Sequence, residues 1–225
     1  MTKYTELPKL PKISKDKLII LLNQKATRNV DFLRLFDKPR DFYLFSILLN
    51  NEITKITEKK EINIEIKELQ KKYKNIRGES KYDLMIYLNE MHNGIFDKYH
   101  LDKEKELLIY NIRTDIYDKN DDTFFLNASL LKGLKINSQK IAIYILSMGR
   151  YANYLHISHI SKILNIDEKS NKLKHKAIKT ALETLERHGF LTVMGYDKVR
   201  KIFKIKVGDI KTKELIQSLD FSNFD

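Results

Sequence analysis

The sequence predicts a mainly α-helical fold with small β-hairpin wings, an α+β chain built as two tandem modules of three helices and a hairpin. Three observations carry this expectation: a strong apolar periodicity in the last third, a fainter repeat of the same order before it, and a basic surplus concentrated in the second copy. The length permits it, since 225 residues suit one large domain or two small ones. At 42% hydrophobic and 32% charged residues, the composition is that of a chain that folds rather than one that stays disordered.

In the second copy the order is legible residue by residue. Residues 139–149 put Ile141, Ile145 and Met148 on one helical face with Ala142 and Leu146 beside them. Tyr154, Leu155 and His156 read as a short extended link. Ser158 then reads as the cap of a second helix through Ile160 and Leu164, ended by Asn165, Ile166 and Asp167. In the third helix Leu173, Ala177, Ile178, Ala181, Leu182 and Leu185 fall at the spacing of a buried stripe, and Gly189 ends it in the left-handed conformation. Residues 190–194 and 201–207 follow as strands joined by Gly195, Tyr196, Asp197 and Lys198. Phe203, Ile205 and Val207 alternate with Lys204 and Lys206, as a half-exposed strand requires.

The first copy repeats this at an offset of roughly 95 to 100 residues. Residues 42–49 match the helix at Ile141, residues 64–73 the short second helix, and Leu84, Leu88 and Met91, followed by Gly94, Ile95 and Phe96, the long third one. Its hairpin is expected to pair residues 107–113 with 123–126 across a turn holding Asp115, Asp118, Asp121 and Asp122. Gly133, Asn137 and Ser138 mark a short link. The chain is thereby divided into 1–132 and 133–225, with residues 1–15, where Pro8 and Pro11 stand among lysines, as a flexible arm.

The formal net charge of +12 favours polyanionic partners. Its distribution says more: residues 169–206 hold 11 basic and three acidic residues, a patch on the third helix and hairpin. If the apolar stripe faces the core, the polar residues at the start of that helix, Lys169, Ser170, Asn171, Lys172, Lys174, His175, Lys176 and Lys179, are free to address a major groove. Asn171 and Lys172 are the candidates for base contact, because amide and ammonium groups match adenine N6/N7 and guanine O6/N7; the other lysines would neutralise phosphate. Lys198, Arg200, Lys201 and Lys204 in the hairpin would reach flanking backbone or minor groove. The acidic turn of the first module would repel phosphate, which suits that module to dimerisation or a protein partner.

Other chemistries lack their residues. With no cysteine there is neither disulfide nor thiolate metal site, in keeping with a reducing cytoplasm. His156 and His159 suit one helical face but have no further ligand nearby. The histidine pair spaced by one residue that a rolling-circle nickase uses is absent, as is a GxxxxGK[ST] phosphate loop. The four aspartates of the first turn lack the spacing of a calcium loop. No apolar run approaches the ~18 residues of a membrane span, and the opening Met1, Thr2, Lys3, Tyr4 lacks a secretion signal's apolar stretch. The expectation is a cytoplasmic protein with no enzymatic activity, cofactor, metal or membrane segment.

The order of short helix, long helix and basic hairpin over residues 138–207, with Leu182, Leu185, Glu186, Arg187, His188, Gly189, Phe190 and Leu191 at the turn into the hairpin, resembles a winged helix-turn-helix domain. Two such modules in tandem resemble the initiator replication proteins of iteron-type plasmids. That resemblance implies two tandem winged helix-turn-helix modules, binding of directly repeated origin DNA by the second, a homodimer formed through the first, and recruitment of host replication proteins. Where that family opens its first long helix with a Leu-Thr run followed by a glutamate, this chain reads Asp37, Lys38, Pro39, Arg40, Asp41, Phe42. Phage replication organisers and transcriptional repressors share the two-module plan. The alternative is a non-enzymatic interaction protein, for instance a phage- or plasmid-encoded inhibitor of a host nucleoprotein complex, that uses the basic face on RNA or protein.

Overall fold

Short antiparallel strands and helices alternate through the structure, a computed structural model that describes residues 18–57, 60–77, 80–91, 94–117, 123–148 and 153–208. In chain order the elements are β1 (Ile19–Asn23), α1 (Gln24–Arg28), α2 (Val30–Arg34), α3 (Pro39–Thr57), β2 (Asn63–Glu65), α4 (Ile66–Arg77), α5 (Lys81–Met91), β3 (Phe96–Asp102), β4 (Leu107–Ile112), β5 (Thr123–Asn127), α6 (Ile136–Met148), β6 (Tyr154–His156), α7 (Ile157–Ile163), α8 (Asn171–Arg187), β7 (Leu191–Asp197) and β8 (Ile202–Val207). Among the described residues no helix is long and apolar enough to cross a membrane. The chain is mixed α and β with small antiparallel sheets, ordered β1-β5, β2-β4-β3 and β6-β8-β7. It divides into two units, Met1–Asn23 with Arg40–Ser129, and Gln24–Pro39 with Leu130–Asp225. The sequence-based division at 132/133 contains no sign of this exchange, which gives α1 and α2 to the second unit.

In the first unit α3 is the longest helix. Its Phe42, Phe45, Leu48, Leu49 and Ile53 are buried, with Ile64, Leu69, Leu84, Leu88, Leu108 and Ile112 from the surrounding elements also in the core. Each such side chain contributes about 1.5–3 kcal/mol by leaving water. The run at β1 is buried at all five positions, so it has no polar face and no alternation, as in a strand covered on both sides. It pairs with β5, Leu21 opposite Phe125, and Asn50 Nδ2 donates to the Ile19 carbonyl at 2.8 Å. A polar network runs through the same core. The Tyr110 hydroxyl donates to the Leu48 carbonyl at 2.8 Å and accepts from Asn51 Nδ2 at 2.9 Å. The Glu52 carboxylate accepts from the Ile112 amide at 2.7 Å and from the Tyr117 hydroxyl at 2.9 Å. Burial pushes the Glu52 carboxyl up to about 7, against the lowering effect of those two donors and with a smaller raising effect from Asp97.

In the second unit the buried set comprises Ile141, Ala142 and Ile145 of α6, Ile157, Ile160 and Ile163 of α7, Ile178, Ala181, Leu182 and Leu185 of α8, and Phe203 and Ile205 of β8. Arginines fasten the two short preceding helices to it. Arg28 donates through Nε and Nη2 to the Ser147 carbonyl at 3.2 and 2.6 Å, a cation at the end of α6 where helix carbonyls lack partners. Arg34 donates to the Lys162 carbonyl at 2.7 Å and to Asp167 at 2.9 Å.

The units share a plan down to single hydrogen bonds. In each, a helix is followed by a strand, two helices and a hairpin, and the first strand lies against the last one. The first amide of the second helix donates to the last residue of the hairpin turn in both: Ile66 to Glu106 at 2.8 Å, Ile157 to Lys201 at 3.0 Å. Arg113 donates to Ile95 at 2.9 Å, and Gly208 to Phe190 at 2.9 Å.

Several expectations need correcting. The first unit's hairpin is β3-β4, with Tyr99 opposite Tyr110, not 107–113 with 123–126; β5 pairs with β1 instead. The alternation of residues 107–112 correctly marks a strand, but strand spacing alone does not say which neighbour it joins. The true tip is therefore Lys103, Glu104, Lys105 and Glu106. Of the aspartates assigned to it, Asp115 lies in the 3-10 turn Thr114–Ile116, bonded to Arg113, while Asp118, Asp121 and Asp122 lie outside the described residues, as does the arm 1–15. The cap of α7 is His156, whose Nδ1 accepts from the Ser158 amide, rather than Ser158. In the second hairpin the turn sits at 198–201, not 195–198, because Gly195 at φ +149 takes up a bulge inside β7. Gly189 adopts φ +73 and ends α8, as predicted.

Candidate nucleic-acid interface

The start of α8 is built against the usual helix rules. Ser170 caps it by accepting from the Leu173 amide at 3.5 Å, and no acid stands in the first turn. Lys172 and Lys174 stand there instead, although the positive end of the helix dipole disfavours cations by a few tenths to about 1 kcal/mol each. Lys169, Asn171, Lys172, Lys176 and Lys179 are exposed, and Lys174 is half-buried. Among the described residues Lys179 alone of these lysines forms an ion pair, a 3.7 Å contact with Glu183 at the surface, worth little in water.

His175 departs from the rest of the predicted set. It is half-buried, with its ring stacked at 5.2 Å on Phe203 and edge-on at 4.5 Å to Tyr196, which itself lies 4.8 Å from Phe203. This cluster joins α8 to both strands of the hairpin, so His175 positions the surface rather than lying on it. Leu173 departs in the other sense. The apolar stripe was to bury it, yet it is 52% exposed, whereas Ile178, Ala181, Leu182 and Leu185 are buried. At about 100° per residue Leu173 lies roughly 140° round the helix from Ile178, so the stripe turns off the core before it reaches the first turn.

The hairpin tip is held by Asp197. Its Oδ1 accepts from the Val199 and Arg200 amides at 3.0 and 2.9 Å, and these amides, ahead of the nearby Arg200 and Lys204 charges, hold the carboxyl below its ordinary value. Lys201 has φ +53, a left-handed conformation costing about 1 kcal/mol without glycine; the turn bonds and the Ile157 amide on its carbonyl offset this. Lys198, Arg200, Lys201 and Lys204 are all exposed, and between them Val199 is 92% exposed. The aromatic cluster thus brings the predicted residues into two sets on one scaffold, a helix start and a hairpin.

Neither Leu173 nor Val199 was among the predicted site residues, nor was Tyr154, exposed on β6. Helical angle could have singled out Leu173, and the length of the turn Val199.

The first unit offers the same frame with different chemistry. Ser80 and Asp83 close a reciprocal capping box at the start of α5, the Ser80 hydroxyl donating to Asp83 at 2.6 Å and the Asp83 amide donating back at 3.2 Å. Lys81 is paired with Glu106 at the hairpin turn, and Tyr82 and Ile86 face solvent. Asp102 accepts from the Glu104 and Lys105 amides at 3.1 and 2.9 Å, the same turn device as Asp197, around a tip of alternating sign.

The second surface offers ammonium, guanidinium, amide, hydroxyl and alkyl groups, a set that binds anions and donates hydrogen bonds. Among the described residues no group of three or more His, Asp or Glu is placed to hold a metal ion. Comparison with protein families, with curated proteins and with solved structures returned no match.

Proposed function

We propose that each unit is a winged helix and that the second binds duplex DNA at a preferred sequence, with the start of α8 in the major groove and residues 198–201 as the wing on the flanking backbone. The observation that carries this reading is the contrast at equivalent positions. One frame bears a capping box and an alternating tip in the first unit. In the second it bears Lys169 just before the capping serine, Lys172, Lys176 and Lys179 on the helix, and Lys198, Arg200 and Lys201 on the tip. Cations at a helix start cost stability in the free protein, and a polyanion held there by amides and lysines together recovers it. In this arrangement Asn171 and Lys172 address bases, and the remaining lysines and Arg200 address phosphate.

The resemblance to plasmid initiators supports a role at repeated origin sequences, with the first unit serving self-association or a host replication protein through the exposed Tyr82 and Ile86 of α5. Selection of binding sites from random duplex DNA with the full chain tests the proposal. Enrichment of one motif is expected, bound with a log–log salt slope near −5 if about six phosphates are engaged. No enrichment, or a slope shallower than about −2, overturns it in favour of an RNA or protein partner.

A further inference from the structure

Among the exposed large hydrophobic side chains of the described residues, Leu173 is the one on α8. It is 52% exposed in a neighbourhood set by Lys169, Lys172 and Lys176. Counted from the capping serine, the first unit has Asp83 at the same place, closing its box with Ser80. An acid there would repel a bound phosphate, so its absence from a DNA surface is understandable. A glutamine, however, would also avoid that repulsion and would keep the box closed; leucine gives up the box and adds exposed alkyl surface. Isolated exposed leucines are ordinary, but this one stands where the lysines require a polyanion. A duplex major groove offers such a group one apolar partner, the C5 methyl of thymine. The helix rotation is fixed as well, because His175, two residues on and nearly opposite at about 100° per residue, is held by Tyr196 and Phe203.

We propose that Leu173 is a specificity-determining residue that reads a thymine through its C5 methyl, so that the preferred duplex carries a thymine facing the first turn of α8. This rests on the DNA-binding reading above, and its test is arranged so that the two can fail separately. In the selected duplex each thymine is replaced in turn by deoxyuridine, which removes the methyl and leaves every hydrogen-bonding group in place. The wild-type chain should lose about fourfold in affinity at one thymine, the equivalent of one buried methyl. The Leu173→Ala chain should lose a similar factor on the thymine duplex and be insensitive to deoxyuridine at that position, with thermal unfolding unchanged because the side chain is exposed. If no duplex is bound at all, the functional reading fails. If the selected duplex is bound but no deoxyuridine lowers affinity, or the two losses multiply independently, Leu173 reads no methyl and this inference is overturned while the functional reading stands.

Discussion

The two units use one backbone plan to hold two different surfaces, and their interiors differ in step with them. The first unit locks its hairpin to α3 through buried polar groups, Asn51 with Tyr110 and Glu52 with Ile112, and carries a capping box at its helix start and alternating charges at its tip. The second locks its hairpin to α8 through the rings of His175, Tyr196 and Phe203, and Glu52 has no counterpart there as a buried acid among the described residues. Turn chemistry belongs to the scaffold, while charge belongs to the surface. Asp102 and Asp197 hold the same turn, and Glu106 and Lys201 take the same left-handed conformation, yet the first tip alternates in sign and the second is basic.

Reversing the helix charges should have the largest effect. Lys172→Glu, Lys176→Glu and Lys179→Glu together should lower duplex affinity by about a thousandfold near 0.15 M salt and, with the phosphate contacts of Lys176 and Lys179 lost, make the salt slope shallower by about two. Titration by fluorescence anisotropy at several salt concentrations reads both, and an unchanged slope would place the phosphate contacts elsewhere.

Next in size is the buried carboxyl of the first unit. A group whose folded value lies near 7 and whose ordinary value is 4.5 takes up a proton on folding. The stability it contributes is present below pH 4.5 and is lost as pH rises through about 7. Glu52→Gln should therefore gain about 3 kcal/mol on the wild type between pH 5 and pH 8, as measured by urea unfolding of the full chain. A constant difference across that range would mean that Glu52 is ionised in the folded protein throughout.

The first tip can be grafted onto the second hairpin. Val199→Glu, Arg200→Lys and Lys201→Glu keep Asp197 and place at position 201 a residue type that already adopts the left-handed conformation at 106. Folding should be retained, and affinity for specific and random duplex should fall alike, by about tenfold. A change of base preference instead would show that the tip reads sequence.

The smallest effect is expected from the ring cluster. His175→Ala should cost about 1 kcal/mol of stability, and it should weaken binding to the selected site more than to random duplex, because it frees the helix to rotate while leaving the charges in place. Equal losses on both duplexes would remove its positioning role.

From α6 onward the order of helix, short strand, two helices and hairpin was legible in the sequence, since apolar residues at helical spacing on α8 and in alternation on β8 have one stable burial each, and Gly189 has one conformation that ends a helix. The sequence also determined where the charge lies. What each element meets was set by packing between residues distant in the chain. β4 could join a strand on either side of it in the chain, and the partner was set by what covers the apolar face of β1, a run with no alternation to announce it. The allegiance of α1 and α2 rests on Arg28 and Arg34 reaching carbonyls more than a hundred residues away, which no local pattern encodes. The same holds for the candidate surface. The lysines were legible as charge, but His175 is turned inward by Tyr196 and Phe203, and Leu173 outward where α8 runs beyond the core, because burial follows the packed neighbours and not the nominal stripe.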